Sequence, residues 1–378
     1  MSVEHQLLSH QLNIGIVGAG GFSLFAATSF LKVDGIIITG VTDIVHETAK
    51  KFSDIIGCDV YPDVDSLLMN PLVDLIYIAT PPSLHYTQSR QALEAGKHVI
   101  CEKPAALLTS EAEELAAYAR HHHLLYTVNL MQRYNPLYAT VKTIIEEKWL
   151  GDFVHGFFEN YASDEKLISG HWFWDKLQSG GIFIEHGVHF FDMFSGWLGE
   201  GELLHALQIA REDTDREVID RVQAVVLYDQ GPVNFYHGFN QPKVLDRQEM
   251  RLQFDRGDIT LYEWVPVKIR IHGLLTDDIV EKMKIHFPDA VWEIHDPAID
   301  HPYHVKGKFK DISYTARITM ISGYIEDKMQ RYEELVISMI RDQWSWILDR
   351  THVRQIDDHN AVMSLRMAEE ATIKSNTY

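Results

Sequence analysis

The first 130 residues alternate between short, continuously apolar runs and helical patterns, and that order admits few folds. Apolar runs fall at residues 12–17, 36–41, 72–79, 97–101 and 124–128. Between them, residues 22–33, 46–56, 83–95 and 109–122 carry helical spacing, and Gly96 closes the third helix. Strands without a polar side must be covered on both faces. The pattern therefore predicts a parallel sheet with helices above and below it.

After about Gly151 the pattern changes. Runs at 152–161, 203–211, 221–228, 233–240, 248–254, 259–264 and 267–272 have strand character with short turns, which predicts a large, mostly antiparallel sheet. Helical patterns return at 324–345 and 360–375. With 378 residues the chain is long enough for two domains. The expected divisions are 1–133, 134–357 and a closing helical segment, 358–378, that packs back on the first domain.

Charge and cysteine usage narrow the setting. A formal net charge of −20 argues against nucleic acid and against anionic membrane surfaces. It still permits a phosphate-bearing cofactor, because backbone N–H groups at a helix start bind phosphate locally. Two cysteines, Cys58 and Cys101, do not make a disulfide framework. No basic segment followed by an apolar one opens the chain, and no apolar run reaches about 18 residues. The expectation is a cytoplasmic protein. His121, His122 and His123 are adjacent, so they point in different directions and read as a solvated helix end, and no metal site is expected.

Gly18-Ala19-Gly20-Gly21-Phe22-Ser23 joins the first strand to the first helix. Glycines there permit a tight turn and close backbone approach to a diphosphate. Ser23 is small enough for close helix–strand packing, and its hydroxyl could donate to a phosphate oxygen. Asp43 ends the second strand, 23 residues after Gly20. A carboxylate there accepts hydrogen bonds from ribose hydroxyls and repels a 2′-phosphate, which favours NAD over NADP. It could equally cap the helix that follows. Thr80, Pro81 and His85 follow the strand at 72–79 and are expected to line the same cofactor cleft.

Glu102-Lys103-Pro104 follows the strand at 97–101, at the carboxyl edge of the sheet where open α/β folds bind ligands. A lysine held by proline beside a carboxylate is suited to moving protons. A second unusual segment runs from Gly180-Gly181 to Asp192. Glu185, His189 and Asp192 are spaced i, i+4, i+7 in an otherwise apolar helix, so they share one face. A carboxylate and a histidine so placed can share a proton. A polar seam between domains is the alternative.

In order, these motifs resemble the glucose–fructose oxidoreductase and inositol dehydrogenase family. The glycine turn, Ala79-Thr80-Pro81-Pro82 with His85, and Ala95-Gly96-Lys97-His98-Val99 leading to Glu102-Lys103-Pro104 all match. So do Arg133-Tyr134-Asn135-Pro136, Ser179-Gly180-Gly181 through Asp192, and the closing helix from Ser364. The resemblance implies an α/β chain, with an N-terminal Rossmann domain and a C-terminal α/β domain whose large open sheet often mediates homo-oligomers, as dimers or tetramers. It implies hydride transfer between NAD and a small-molecule carbohydrate or polyol. Lys103 would be the catalytic lysine and His189 the catalytic histidine. Glu185 stands where aspartate is usual, and Phe173 where arginine is frequent. The cofactor would touch Gly18, Gly20, Gly21, Phe22, Ser23, Asp43, Thr80, Pro81, His85, Glu102 and Lys103. Tyr161, Trp172, Trp174 and Asp175 are candidates for a sugar platform, because aromatic faces and carboxylates suit carbohydrate rings.

Three activities fit those residues. The first is a dehydrogenase in which His189 takes the hydroxyl proton, Lys103 steadies the oxygen or acts as the base itself, and Glu185 orients His189 or binds a neighbouring hydroxyl. The second is a redox-assisted glycosidase that oxidises a ring carbon transiently and eliminates the aglycone. The third is a sensor that binds NAD without turnover.

Overall fold

The computed structural model describes residues 10–168, 170–211, 218–296, 301–307 and 310–377. They form two compact units. One takes in the chain up to Tyr134, Leu167–Asp192 and Tyr332–Ile373, and the other takes in Asn135–Lys166, Met193–Arg331 and the chain from Lys374.

In the first unit the apolar runs become strands β1 (Leu12–Val17), β2 (Ile36–Thr42), β3 (Asp59–Val60), β4 (Leu75–Ile78), β5 (His98–Cys101) and β6 (Tyr126–Val128). They alternate with helices α1 (Gly21–Phe30), α2 (His46–Ile56), α3 (Val64–Leu68), α4 (His85–Glu94) and α5 (Thr109–His121). All pairs are parallel, in the order β3-β2-β1-β4-β5-β6. Ile14, Ile16 and every residue of β4 are fully buried, which is why these runs are mostly apolar. The chain order reverses between β1 and β4, so a crevice opens beyond their carboxyl ends. Gly18 and Thr80 stand at that place.

Some boundaries moved for local reasons. Strand β4 begins at Leu75 rather than residue 72, because the preceding residues form a turn. Lys97 Nζ holds that turn by donating to the carbonyls of Asn70 and Val73, at 2.9 and 2.7 Å. Helix α4 begins at His85, after a short turn of 3₁₀ helix over Pro82–Leu84. Helix α3 carries no periodicity long enough to detect from sequence, and Asp63 starts it by accepting the Ser66 N–H at 2.7 Å. The three histidines do close α5, and the His122 ring stacks on Tyr118 with 4.1 Å between centroids.

The remaining helices are α6 (Pro136–Glu146), α7 (Lys176–Ser179), α8 (Val188–Leu198), α9 (Asp277–His286), α10 (Lys328–Leu348) and α11 (Asp358–Lys374). Helix α11 belongs largely to the first unit, where Glu369 accepts the Thr109 N–H that opens α5, at 2.9 Å.

The second unit is built on strands β7 (Phe153–Ser163), β8 (Glu202–Arg211), β9 (Val218–Tyr228), β10 (Gly231–Gln241), β11 (Arg247–Phe254), β12 (Gly257–Tyr262), β13 (Lys268–Leu275) and β14 (Val291–Ile294). Strands β15 (Tyr303–Lys306) and β16 (Asp311–Tyr314) form a separate hairpin, and β17 (Ala316–Ser322) and β18 (Asn376–Thr377) complete the large sheet. Its order is β14-β17-β13-β12-β11-β7-β10-β9-β8-β18. The pairs are antiparallel except β7 with β10 and β8 with β18. Side chains alternate as a half-buried sheet requires. Phe158, Phe235, Met250, Leu252, Ile259 and Ile271 form a dry core on one face. On the other face Arg251 lies over Phe157 and Arg247 over Tyr161, at 5.1 and 5.0 Å.

Candidate active site

The glycine turn follows β1 directly. Gly18 has φ +92°, and a Cβ there would stand 2.7 Å from the Ala79 carbonyl oxygen, so this position accepts only glycine. Gly20 differs. Its φ is −67°, and a Cβ on it or on Gly21 would meet no atom within 4 Å. No side chain caps the start of α1, so its first N–H groups point into that space. A helix start left open in front of two glycines fits a diphosphate.

Asp43 closes the turn from below. Its Oδ2 accepts the Ala19 N–H at 2.7 Å and its Oδ1 accepts the Val45 N–H at 2.8 Å. The carboxylate therefore braces the glycine turn and begins the α2 connection. Each oxygen keeps a second acceptor site for a ribose hydroxyl. Asp43 lines a cleft of about 540 Å³ with Gly18, Gly20, Thr80, Pro81 and Trp172. Ile44, Pro62, Asp63, Leu84 and Gln88 also line it, and no sequence signal marks them because single residues at scattered positions carry no pattern.

Three expected cofactor contacts have other duties. The Ser23 hydroxyl is 1% exposed and donates to the Gly20 carbonyl at 2.9 Å, so it tightens the turn instead of facing a phosphate. His85 is equally buried, with Nδ1 2.6 Å from the Pro104 carbonyl and Nε2 2.8 Å from the Thr80 carbonyl. Its ring holds backbone rather than lining the cleft. Glu102 turns back across the strand ends, accepting from the Tyr77 hydroxyl and from Asn129 Nδ2. Burial pushes its carboxyl above the ordinary carboxylate range, while those two donors pull against that shift. Phe22 sits on the first turn of α1, its ring 5.8 Å from that of Tyr332.

Lys103 leaves the end of β5 and reaches Glu185, 82 residues further on. Its ammonium forms an ion pair with the carboxylate and donates to the Glu185 main-chain carbonyl at 2.8 Å. The two side chains are only 17% and 11% exposed. Phe183–Gly187, which contains Glu185, is a π-helical turn leading into α8. With i→i+5 bonding, residue i+4 no longer sits directly above residue i. From this turn the Glu185 carboxylate and carbonyl meet the Lys103 ammonium.

His189 lies in the first turn of α8 and is 5% exposed. Burial, and then the charge of Lys103, hold its imidazole well below the ordinary 6.5, which favours the neutral ring. Asp192 was expected to share a functional face with Glu185 and His189. It is instead locked by Arg133, whose Nε and Nη2 donate to the two carboxylate oxygens at 2.8 Å each. This fork fixes α8 beneath His189.

Of the candidates for a sugar platform, Trp172, Trp174 and Asp175 lie in the first unit. Trp172 lines the same cleft as Asp43. Trp174 Nε1 donates to the Leu167 carbonyl at 2.7 Å, and Asp175 caps α7 through the Leu177 N–H at 2.9 Å. Both stabilise their own loop, and Phe173 is buried among them. Tyr161 lies in the second unit, in a cleft of about 720 Å³ with Arg247, Gln248, Glu249 and Tyr262. Among the described residues, no group of three or more His, Cys, Asp or Glu side chains is arranged to hold a metal ion. No described helix is long and apolar enough to cross a membrane.

A parallel sheet in this order, with a glycine turn and an acid at its reversal point, is the Rossmann-type dinucleotide-binding arrangement. Residues 12–130 match the model of an oxidoreductase family with an NAD-binding Rossmann fold, and residues 138–260 match the GFO/IDH/MocA C-terminal domain. The chain belongs to this GFO/IDH/MocA oxidoreductase family. It is 26% identical to the dTDP-3,4-didehydro-2,6-dideoxy-alpha-D-glucose 3-reductase of Actinomadura kijaniata, over 61% of this chain and 68% of that protein. It is 25% identical to the NAD(+) scyllo-inositol 2-dehydrogenase of Bacillus subtilis, over 51% of this chain and 55% of that protein. The chain spans about half the length of the curated relatives that head the comparison. Among solved structures, the 3-ketoreductase KijD10 of A. kijaniata, in complex with NADP and TDP-benzene, shares the fold. The TM-score is 0.75 at 17% identity, covering 97% of this chain and 98% of that one.

Proposed function

We propose that this oxidoreductase uses NAD to move a hydride between nicotinamide and the hydroxyl-bearing carbon of a sugar, sugar derivative or polyol. The observation that carries the reading is Lys103, held on the carboxylate and carbonyl of Glu185 beside a neutral, buried His189.

Bound NAD would supply the hydride acceptor. The open start of α1, with Gly18, Gly20 and Gly21, would hold its diphosphate, and Asp43 would accept its ribose hydroxyls and repel a 2′-phosphate. Neutral His189 accepts the substrate hydroxyl proton as the carbon loses hydride, and the hydroxyl becomes a carbonyl. The Lys103 ammonium donates to that oxygen and stabilises the charge that develops on it. Glu185 keeps the ammonium in place, and Arg133 with Asp192 keeps α8 in place. Relatives whose names give sugar-nucleotide or inositol oxidoreduction support a polyhydroxylated substrate. The Arg-and-tyrosine face of the large sheet supports a homo-oligomer, which light scattering measures directly.

The test is a panel of sugars, polyols and glycosides with NAD⁺, following NADH absorbance and released aglycone together. Stoichiometric NADH is expected with the true substrate. Lys103→Ala should lower turnover by about 10² to 10⁴ and leave NAD⁺ affinity intact. Aglycone released without NADH, or full turnover in Lys103→Ala, refutes the reading.

A further inference from the structure

Two loops face the chemistry of the first unit from different strands. Thr80, after β4, lines the cofactor cleft, and its hydroxyl donates to Gln88 Oε1 at 2.6 Å on the same wall. Lys103 and Pro104, after β5, form the turn that carries the ammonium. A single buried ring joins the two loops, with His85 Nδ1 2.6 Å from the Pro104 carbonyl and Nε2 2.8 Å from the Thr80 carbonyl.

The placement is local and rigid. His85 is the first residue of α4, directly after the short turn Pro82–Leu84, and its side chain is 1% exposed. Both neighbours are acceptors, and a neutral imidazole donates from one nitrogen while a protonated one donates from both. Burial, opposed by these two hydrogen bonds, holds the ring below 6.5, so at neutral pH the tautomer decides which carbonyl it grips. Held between two backbone carbonyls at 2.6 and 2.8 Å, and donating to one of them when neutral, the buried ring sets the spacing between those segments. Gln88, Thr80, His85 and Pro104 thus form one continuous path of polar contacts from the cleft wall to the residue that follows Lys103.

We propose that His85 is a positioning residue, whose ring ties the Thr80 wall of the cleft to the Lys103–Pro104 turn and so sets where the Lys103 ammonium stands. The inference rests on the reading of Lys103 above and concerns how that lysine is held. His85 neither touches substrate nor lines the cofactor cleft. Its contribution to rate comes from geometry, since a misplacement of about 1 Å at a reacting group can lower rate about 100-fold.

His85→Phe keeps a ring of similar size and removes its polar nitrogens, while His85→Gln keeps an amide donor. The expected result for His85→Phe is a kcat lowered by about 100-fold with the calorimetric Kd for NAD⁺ kept, and partial recovery of kcat in His85→Gln. Independently of turnover, the Lys103 Nζ resonance in ¹⁵N-lysine-labelled protein should shift in His85→Phe. Wild-type kcat with an unshifted Lys103 resonance overturns the proposal, as does a loss confined to NAD⁺ affinity. Should His85→Phe fail to fold, His85→Gln decides by the same readouts. A shifted resonance with lowered kcat and kept Kd supports the proposal, and an unshifted resonance overturns it. If the resonance shifts while Lys103→Ala turns over normally, His85 still positions the turn and the catalytic reading of Lys103 is what fails.

Discussion

Gly18 and Gly20 stand two residues apart in the same turn, and replacing each by alanine should break different things. At Gly18 a Cβ would lie 2.7 Å from the Ala79 carbonyl oxygen, on a backbone with φ +92°. Left-handed strain of about 1–2 kcal/mol and a clash of about 1–3 kcal/mol add up to a loss of about 2–5 kcal/mol in folding stability. At Gly20 the backbone has φ −67° and ψ 176°, and a Cβ would meet no atom within 4 Å. The smaller entropy of the unfolded chain stabilises Gly20→Ala by about 0.4–1 kcal/mol, and alanine's poorer capping offsets a few tenths, so stability should stay within about 0.5 kcal/mol.

Cofactor affinity should respond in the opposite way. The Gly20 methyl occupies the space in front of α1 where the diphosphate would lie. A close contact of about 1–3 kcal/mol raises the NAD⁺ Kd by about 10- to 100-fold. Urea unfolding with and without NAD⁺ reads both effects. At 100 times the wild-type Kd, NAD⁺ should stabilise wild type by about 2.7 kcal/mol, whereas Gly20→Ala with a 30-fold weaker Kd should gain only about 0.9 kcal/mol. Wild-type NAD⁺ affinity in Gly20→Ala would refute the placement of the diphosphate. Wild-type stability in Gly18→Ala would refute the steric reading of the turn.

Removing the Glu185 carboxylate leaves the shielded Lys103 ammonium on a single carbonyl, so Glu185→Ala should lower stability by about 3 kcal/mol and Glu185→Asp by less, as denaturant midpoints will show. Equal stability in all three proteins would mean the ion pair contributes nothing. His189, His85, His98 and His237 all have imidazoles held below 6.5, with His98 at about 4 and His237 at about 3. The unfolded chain therefore binds more protons than the folded one, and this stability is present in full above pH 6.5 and is lost as pH falls toward the folded values. The urea midpoint should decline between pH 6.5 and 5, and a flat midpoint across that window counts against burial of these rings. Asp43→Ser should narrow the preference for NAD⁺ over NADP⁺, measured as the ratio of kcat/KM values, and it should destabilise the turn by freeing the Ala19 and Val45 N–H groups. An unchanged ratio would detach cofactor choice from Asp43.

The local grammar of the first unit was legible in the chain. Mostly apolar runs such as residues 12–17 and 36–41 read as strands of a largely covered sheet. The helix at 46–56 was bounded correctly because its amphipathic pattern is long and Gly57 ends it in a left-handed conformation. The glycine turn, Asp43 and Lys103 were found because each lies next to a strand end in sequence. Antiparallel strands were recognisable by alternation, but alternation is blind to partner choice, and the parallel pairing of β7 with β10 was not visible in it.

Contacts made at long range were decided by the tertiary structure. Helical spacing put Glu185 with His189, yet a π turn re-aimed the carboxylate toward Lys103, 82 residues away. Asp192 found Arg133, 59 residues earlier, and His85 turned inward to two carbonyls instead of facing the cofactor cleft. Sequence alone determined that this chain makes a parallel sheet of the dinucleotide-binding kind and where its glycine turn and Lys103 stand on it, because those signals are short-range and periodic. Which polar group holds which was settled only by folding, because a buried charge or donor takes whichever partner the packed backbone brings within about 3 Å.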